Sequence, residues 1–364
     1  MIHQHCGGHL AAAPGTTLIP VHPSALNVTP TLPLVGTRQL PSPDAGSSLV
    51  SVVMIFYNAE CFFDEAIDSV RAQTYSHWEL LLVDDGSTDG GPRIAARHAA
   101  EEPDRIRLLT HPGHVNRGMS ASRNLGIAHA CGEYVAFLDA DDRFSPGQLA
   151  EQVALLKTHL QAGAVYGCLQ YWYGWPGNPW RDKPDVPTPP PFPDGTLVSP
   201  PAMLRKQFER ADIRLMHISS IMVRRDLALR LGGFEDEFRS LYEDQVFHVK
   251  LFLAAPVITS SCLWGWYRQH PDSTCNRALM TLRWRLHEDA RFARWLAGYL
   301  ADNPISDPAI AEIVWRWQRR HASALRSIVL DPVRVFGPLL PQSIRGALRP
   351  FWQRLTLGEP RQSA

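Results

Sequence analysis

Carboxylates are concentrated at the ends of two short apolar runs, where their spacing suggests ligand chemistry. The first group is Asp84–Asp85, inside VDDGSTD at 83–89. Two carboxylates followed by a Gly-Ser-Thr turn can accept hydrogen bonds from a base or a ribose, as acidic residues after strands do in dinucleotide sites. The alternative is a capped turn, in which Asp89 satisfies the first amides of the next helix. The sequence has no GxGxxG and no GxxxxGK[ST], so hydride-transfer and P-loop chemistry lack their phosphate loops.

The second group is FLDADD, at 137–142. Alternate residues of a strand point to the same side, so Asp139 and Asp141 can converge on one cation while Ala140 points away. Three carboxylates within four positions repel one another unless a divalent ion or wide exposure relieves them. Hard oxygen ligands favour Mg²⁺ or Mn²⁺, which normally share their remaining sites with substrate phosphates and water. A solvated acidic loop is the alternative interpretation.

These groups must be positioned by alternating strands and helices. Apolar, β-branched runs predict strands at 49–57, 78–83, 105–110 and 134–138, with helical patterns between them. Such alternation predicts βαβ units and a mostly parallel sheet flanked by helices, whose ligands bind at the carboxyl ends of the strands. Asn58, Asp84, Asp85, Asp139 and Asp141 each follow or end a predicted strand, so we expect them at one edge of the sheet.

The chain divides into three parts. Residues 1–48 hold seven prolines without helical or strand periodicity, which predicts a disordered leader. Residues 49–275 form the predicted α/β domain, with a proline-rich surface loop at 174–201. Tryptophans 172, 175 and 180 near that loop either stack on sugars or pack the loop itself. Residues 276–364 are predicted to be a helical, basic C-terminal region.

Charge separates these parts although the whole chain is neutral, with 36 basic and 36 acidic residues. Residues 1–267 carry 28 acids and 21 bases, whereas residues 268–364 carry 8 acids and 15 bases. A nucleic-acid binder is therefore not expected, because no recognition motif accompanies the basic region.

The six cysteines lack metal-site spacing, and no signal peptide or membrane span is evident, which favours a cytoplasmic protein. Attachment to the inner face of the cell membrane remains open.

Six ordered blocks carry a family resemblance. They are FYN at 56–58, VDDGSTD at 83–89, NRGMSASRNLGIAHACGEYVAFLDADD at 116–142, GGFEDEF at 232–238, YEDQVFHVKL at 242–251 and YRQHPDST at 267–274. Together they resemble the inverting family-two glycosyltransferases, which have the Rossmann-like GT-A fold. The resemblance implies a nucleotide-sugar site formed by Phe56, Tyr57, Asn58, Asp84, Asp85, Arg117, Arg123, Asp139 and Asp141.

Within that site the resemblance implies separate tasks. Asp84 would contact the base and Asp85 the ribose, while Asp139 and Asp141 look like the DXD pair that binds Mn²⁺ or Mg²⁺. Arg117 and Arg123 lie where that segment approaches the diphosphate in this family, although Arg123 could equally be a packing residue on a helix.

The resemblance also implies an acceptor side. Glu243–Asp244 is similar to the ED pair whose aspartate acts as catalytic base, so Asp244 is expected to take the proton of the acceptor hydroxyl. The alternative is that both acids only stabilise a helix dipole. His270 could complete the metal site or contact the diphosphate, or be an ordinary hydrogen-bonded histidine.

The expected function is transfer of a sugar, with inversion, from a nucleoside-diphosphate sugar to an acceptor hydroxyl, and a UDP-sugar is the favoured donor. The acceptor would be a glycan, a lipid-linked saccharide or a protein, in synthesis of cell-surface glycan or polysaccharide. The QxxRW pattern of processive synthases is incomplete because Met280 replaces its glutamine, so we expect non-processive transfer. Helices that alternate arginine and tryptophan after residue 282 would either contact an anionic membrane surface or pack on the catalytic domain or another copy. A non-catalytic module that binds nucleotide-sugar or glycan is the alternative function.

Overall fold

The computed structural model describes residues 48–209, 216–280 and 282–321, and all structural statements refer to these ranges. The predicted leader lies outside them except for residue 48, as do residues 322–364 of the predicted C-terminal region. The strands are β1 (Val50–Phe56), β2 (Trp78–Asp84), β3 (Ile106–Thr110), β4 (Tyr134–Asp139), β5 (Arg143–Phe144), β6 (Ala164–Trp172), β7 (Val186–Thr188), β8 (Leu197–Val198), β9 (Ile221–Arg224) and β10 (Val257–Arg268). The helices are α1 (Phe63–Arg71), α2 (Gly91–Glu101), α3 (Met119–His129), α4 (Gln148–Thr158), α5 (Ala202–Glu209), α6 (Arg225–Arg230), α7 (Glu243–Ala254), α8 (Thr274–Met280), α9 (Leu282–Asp302) and α10 (Pro308–His321).

The first half of the sheet is parallel, in the order β3-β2-β1-β4. All seven residues of β1, VSVVMIF, are buried, as are all seven of β2, WELLLVD. Both faces of these strands must be covered by helices, which explains their nearly continuous apolar sequences. The chain continues to β2 and β3 on one side of β1 and returns to β4 on the other. This change of direction places a topological switch point at the carboxyl ends of β1 and β4.

The second half of the sheet is mixed. Strand β9 pairs antiparallel with both β4 and β6, while β10 runs parallel to β6 and antiparallel to β5 and β8. Within the predicted proline-rich loop, β7 pairs with β6 and β8 pairs with β10. The predicted fold class, an α/β sheet flanked by helices, is confirmed, and its parallel half carries both acidic strand ends, those of β2 and β4.

Helix α3 lies close to the strands that carry the site. A Cβ added to Gly126 would lie 2.3 Å from Val53 Cγ1 in β1, so only glycine allows this separation. Close packing fixes the distance between α3 and the sheet, because protein interiors leave little room for adjustment. Residues 120–123, one turn near the start of α3, are buried, and Arg123 of this turn contacts Asp139 at the end of β4.

The C-terminal helices pack on the domain through aromatic side chains. Phe292 of α9 is fully buried and Trp317 of α10 is 7% exposed, and both belong to the core that includes α7. Trp315, by contrast, is 54% exposed and lies beside Arg319. The described arginine- and tryptophan-rich helices therefore bury one aromatic face and leave another in solvent. Among the described helices, none combines the length and apolar character needed to cross a membrane.

Candidate active site

The loop after β1 is joined to the turn after β2. The Asn58 amide donates to Ser87 Oγ at 3.0 Å, and Asn58 Oδ1 accepts the Thr88 amide at 2.7 Å. Asn58 has a left-handed backbone with φ of 52°, which asparagine tolerates better than most residues. Two polar strand ends are therefore held together as the sequence predicted.

Phe56 and Tyr57 differ in position although they are adjacent. Phe56 is 3% exposed and its ring contacts Phe63 at a centroid distance of 4.3 Å, so it belongs to the core. Its carbonyl accepts the Asp85 amide at 2.9 Å, which ties β1 to the next strand end. Tyr57 is 51% exposed beside it. Of the two rings, only that of Tyr57 is accessible to a nucleotide, because the Phe56 ring is buried in the core.

Asp84 is enclosed by its own turn and by a histidine. Its side chain is fully buried, accepts the Ser87 amide at 2.9 Å, and lies 2.6 Å from His114 Nε2. The His114 side chain is half exposed. A ligand at this strand end would therefore meet His114 before Asp84. Sequence reasoning missed His114, although it follows β3, the neighbour of β2, and polar residues after parallel strands were the signal used elsewhere.

Asp85 fixes the segment that leads into α3. Its carboxylate accepts the amides of Arg117 at 2.7 Å and Gly118 at 3.0 Å. Gly118 has φ of 94°, and a Cβ there would lie 2.7 Å from Arg239 Cβ, so glycine is required. The Arg117 side chain is exposed at this position. Asp85 thus has a structural task beside the proposed ribose contact, and Arg117 remains accessible to a diphosphate.

The second acidic cluster divides into exposed and buried members. Asp139 and Asp141 keep 24% and 30% of their side chains exposed. Asp142 is 1% exposed and accepts Ser219 Oγ at 2.9 Å and the Arg268 amide at 3.0 Å. Burial, with the charges of the two other aspartates, raises the pKa of Asp142 well above its ordinary value. Asp142 therefore supports the loop, and Asp139 and Asp141 are the members that can reach a ligand.

Residues 268–270 at and after the end of β10 fold onto this loop. His270 Nε2 lies 3.0 Å from Asp141 Oδ2, and Arg268 Nε donates to the Asp141 carbonyl at 2.8 Å. The Arg268 guanidinium also lies 4.4 Å from the Trp172 ring centroid. Trp175 is buried and its Nε1 donates to the Gln269 carbonyl at 3.0 Å. Trp175 thus packs this segment and does not present its ring for stacking, while His270 adjoins the DXD pair.

Arg123 connects the two carboxylate pairs. Its side chain is 1% exposed, Nη2 donates to Asp139 Oδ1 at 2.7 Å, and Nη1 donates to Glu243 Oε1 at 3.0 Å. Burial alone would lower the pKa of Arg123, but the neighbouring carboxylates more than offset it and the pKa is raised. The expected approach of Arg123 to a diphosphate is not what its contacts favour, because both arms of the guanidinium are directed at protein carboxylates.

The ED pair forms the first turn of α7. Burial, followed by the charge of Asp244, raises the pKa of Glu243 to about 8. Burial also raises the pKa of Asp244 to about 6, although Arg123 opposes the shift. Gln245 donates its amide to Asp244 Oδ1 at 2.7 Å, which orients the carboxylate, and Asp244 remains partly exposed. A partly exposed carboxylate with a pKa near neutrality is suited to accept a proton.

A metal ion would find oxygen ligands but no complete set. Asp139 and Asp141 offer hard carboxylate oxygens of the kind that Mg²⁺ and Mn²⁺ prefer. No group of three or more His, Cys, Asp and Glu side chains in the described ranges is arranged to hold an ion. The residues fit an ion that is bound by one or two carboxylates and shared with substrate phosphates and water, which is common for Mg²⁺.

Comparisons with known proteins identify the family and the fold. The family model described as "Glycosyl transferase family 2" matches residues 51–232. The putative glycosyltransferase EpsE of Bacillus subtilis is 36% identical over 196 residues, covering 52% of this chain and 68% of EpsE. The Escherichia coli UDP-Glc:alpha-D-GlcNAc-diphosphoundecaprenol beta-1,3-glucosyltransferase WfgD is 38% identical over 108 residues, covering 30% of this chain and 41% of WfgD.

Solved structures extend the likeness in fold to most of the chain. S. aureus TarS 1–349 in complex with UDP-GlcNAc has a TM-score of 0.57 at 18% identity, covering 85% of this chain and 87% of that one. The Pyrobaculum calidifontis mannosyltransferase PcManGT, in complex with GDP-Man and Mn²⁺, has a TM-score of 0.50 at 20% identity, covering 88% and 84% of the two chains. With the family match and EpsE, these findings confirm the resemblance predicted from six motifs: the chain belongs to glycosyl transferase family 2.

Proposed function

We propose that this glycosyltransferase moves one sugar from a nucleoside-diphosphate sugar to an acceptor hydroxyl, with metal assistance and inversion at the anomeric carbon. The observation that carries the proposal is the Arg123 bridge, in which one buried guanidinium contacts Asp139 at 2.7 Å and Glu243 at 3.0 Å. This contact supports the assignment of the DXD pair and the ED pair to one site, with Asp244 beside Glu243. A donor-binding group and a base on the acceptor side are the two parts that a single displacement needs.

Asp244 is the proposed base. As the acceptor oxygen forms its bond to the anomeric carbon, the bond from that carbon to the diphosphate oxygen breaks, and the acceptor proton passes to a carboxylate oxygen of Asp244. The nucleoside diphosphate leaves with the electron pair of the broken bond. With a pKa of about 6, Asp244 is mostly ionised at neutral pH and is a better base than an ordinary aspartate.

Asp141 and Asp139 are the proposed ligands of Mn²⁺ or Mg²⁺, with His270 next to Asp141. When bound, such an ion neutralises charge on the departing diphosphate. Because the described residues supply no preformed cage of three ligands, we expect the ion and the nucleotide to bind together. Tyr57 and His114 are accessible beside the buried Asp84, and we propose that a base and a ribose bind along this edge.

The donor is proposed to be a UDP-sugar. The name of WfgD contains UDP-Glc and the TarS structure contains UDP-GlcNAc, whereas the PcManGT structure contains GDP-Man. The acceptor is proposed to be a glycan, a lipid-linked saccharide or a protein in polysaccharide synthesis. Trp315 with Arg319 on the exposed side of α10 supports peripheral contact with the inner face of the cell membrane.

Release of nucleoside diphosphate tests the proposal. Wild type, Asp244→Asn and the distant surface variant Arg230→Met are incubated with Mn²⁺, a panel of sugar nucleotides and acceptor extract. Acceptor-dependent release by wild type and Arg230→Met, with loss in Asp244→Asn, is expected. Release of pyrophosphate would indicate nucleotidyl transfer instead. Binding of UDP without release from any donor would favour a non-catalytic binding module.

A calorimetric titration tests the shared metal site. Mn²⁺ is titrated into wild type and Asp141→Ala, each with and without UDP. We expect tight binding only for wild type with UDP present. Equal Mn²⁺ affinity in all four titrations would contradict the assignment of Asp141.

A further inference from the structure

Helices α9 and α10 hold the residue that directly precedes the ED pair. The Tyr242 ring stacks on Phe292 of α9, with ring centroids 4.7 Å apart and planes inclined by 7°. Trp317 of α10 meets the Phe292 ring edge-on at 5.0 Å and the Tyr242 ring at 6.5 Å. Phe292 is fully buried and Trp317 nearly so. Two helices beyond the family match at 51–232 thus form one aromatic cluster with the start of α7.

A polar contact fixes the same ring. The Tyr242 hydroxyl donates a hydrogen bond to Asp289 Oδ1 on α9, and Asp289 is completely buried. A hydrogen bond to a carboxylate is stronger in a buried, low-dielectric environment, so this contact helps to fix the position of the tyrosine hydroxyl. Ring and hydroxyl are therefore held by one helix, α9.

The backbone of Tyr242 is in an unusual conformation. Its φ is 67°, in the left-handed region that non-glycine residues rarely adopt, and its carbonyl accepts the Val246 amide at 2.9 Å to begin α7. Such a conformation persists where the surrounding structure determines it, and it is often found at functional sites. The direction in which Glu243 and Asp244 leave this residue depends on that backbone.

We propose that Tyr242 is a positioning residue for the ED pair, and that α9 and α10 act through it as part of the catalytic apparatus. The inference rests on the proposed role of Asp244 as base. Stacking on Phe292 and the bond to Asp289 hold the left-handed backbone, and the backbone aims the first turn of α7 at the acceptor. Displacement of a catalytic group by about 1 Å can lower a rate by about 100-fold, so weakening the contacts should slow transfer without weakening donor binding.

Two full-length variants separate the contacts. Tyr242→Phe removes the hydroxyl and keeps the ring, and Phe292→Leu removes the stack and keeps an apolar side chain. The matched control is Tyr299→Phe, which removes a hydroxyl from a tyrosine stacked on Trp295 elsewhere on α9. We expect kcat to fall by about 10- to 100-fold in both test variants, with the donor KM and the Kd of UDP within about twofold of wild type. The control should keep the wild-type kcat.

Tyr242→Gly distinguishes positioning from backbone strain. Glycine accepts φ of 67° without strain but has no ring, so it should also lose kcat if the aromatic contacts set the direction of α7. Wild-type kcat in Tyr242→Gly, or in both test variants, would overturn the proposal. Equal weakening of UDP binding and of kcat would also overturn it, because that pattern indicates general loss of structure.

Hydrogen exchange gives a readout that does not depend on turnover. Amides at 243–247 should exchange at least about fivefold faster in Tyr242→Phe and Phe292→Leu than in wild type, and at the wild-type rate in Tyr299→Phe. Unchanged exchange in the test variants would contradict the proposal. Asp244→Asn could transfer sugar at the wild-type rate while amides 243–247 still exchange faster in Tyr242→Phe and Phe292→Leu. In that case Asp244 is not the base, but the control of the start of α7 by Tyr242 stands.

Discussion

Replacing Arg123 by methionine tests how the two carboxylate pairs are held together. Methionine is of similar length but carries no charge, so Asp139 and Glu243 would lose partners at 2.7 Å and 3.0 Å inside a site where Arg123 is 1% exposed. Removing one member of a buried ion pair costs about 3–5 kcal/mol when the other charge stays unpaired. A buried acceptor that has become neutral costs about 1–3 kcal/mol when its partner is lost.

The loss of stability in Arg123→Met should depend on pH because the pKa values of Asp139 and Glu243 are raised. Burial raises the pKa of Asp139 and Glu243 while Arg123 lowers both, so the variant should have still higher values. Raised carboxyl pKa values mean that the folded state binds more protons than the unfolded state, and stability then falls as pH rises. We expect a loss of about 3–5 kcal/mol near pH 9 and about 1–3 kcal/mol near pH 6.

Urea unfolding at both pH values measures this difference, with wild type as reference. Arg230→Met is the matched control, because the Arg230–Asp226 pair lies on the surface with side chains 63% and 65% exposed, and its loss should cost less than about 1 kcal/mol. Arg123→Lys keeps the charge and should recover part of the stability. A loss no larger than that of the control, or one that is equal at the two pH values, would refute the reasoning.

Other predictions concern rate, pH and packing. Asp244→Asn should lower kcat by about 100- to 10,000-fold with the donor KM within about twofold, measured as nucleoside diphosphate release; a smaller loss would exclude Asp244 as base. Burial raises the pKa of Asp244 to about 6, and only its ionised form accepts a proton, so kcat/KM should fall as pH drops below about 6. A kcat/KM that falls only below about pH 4 would contradict the raised pKa. Gly126→Ala should destabilise the protein by about 1–3 kcal/mol in urea unfolding because its Cβ would lie 2.3 Å from Val53 Cγ1. Gly298→Ala should be neutral or stabilising, because a Cβ added there meets no neighbouring atom within 4 Å.

The parallel half of the fold was predictable because its strands are apolar runs that end in polar residues. The prediction of a strand at 49–57 corresponds to Val50–Phe56, and that at 78–83 to Trp78–Asp84. These runs are buried on both faces, so composition alone marks them. The helical interpretation after residue 276 agrees with α9 and α10 over the described residues.

Elements in the second half were harder to predict. The strand β6 (Ala164–Trp172) was not anticipated, and it contains Gly167, where a Cβ would lie 2.1 Å from the Trp264 ring. Glycine in a strand usually weakens the pattern, and the reason for it here is a ring almost a hundred residues away. The segment before β9 forms a turn of 3₁₀ helix at Ile218–Ser220, and the strand itself covers only Ile221–Arg224.

In the site, too, local features were predictable from the sequence and long-range contacts were not. Acidic residues at strand ends were found from local sequence, because strand periodicity and the rule for parallel sheets apply locally. The partners of Arg123 were not found, since a guanidinium suits a diphosphate and a carboxylate equally well. Only the folded structure, which brings Glu243 to 3.0 Å from Arg123, decides between them. The motif left His270 as a metal ligand, a diphosphate contact or an ordinary hydrogen-bonded histidine, and its 3.0 Å separation from Asp141 Oδ2 fits the first and the last equally well.

The long-range contacts of the site have a consequence for biosynthesis. Arg123 and Glu243 are separated by 120 positions, Asp142 and Arg268 by 126, and Asp141 and His270 by 129. Strands β1 to β4 can pair on the ribosome while these later residues are still unsynthesised, but Asp141 and Asp142 then lack their contacts with His270 and Arg268 and remain hydrated. Contacts between distant positions form slowly because loop closure must precede them. Catalytic competence should therefore appear late in folding, after β10 has joined the sheet, and nascent chains shorter than about 270 residues should contain folded strands but no working transferase.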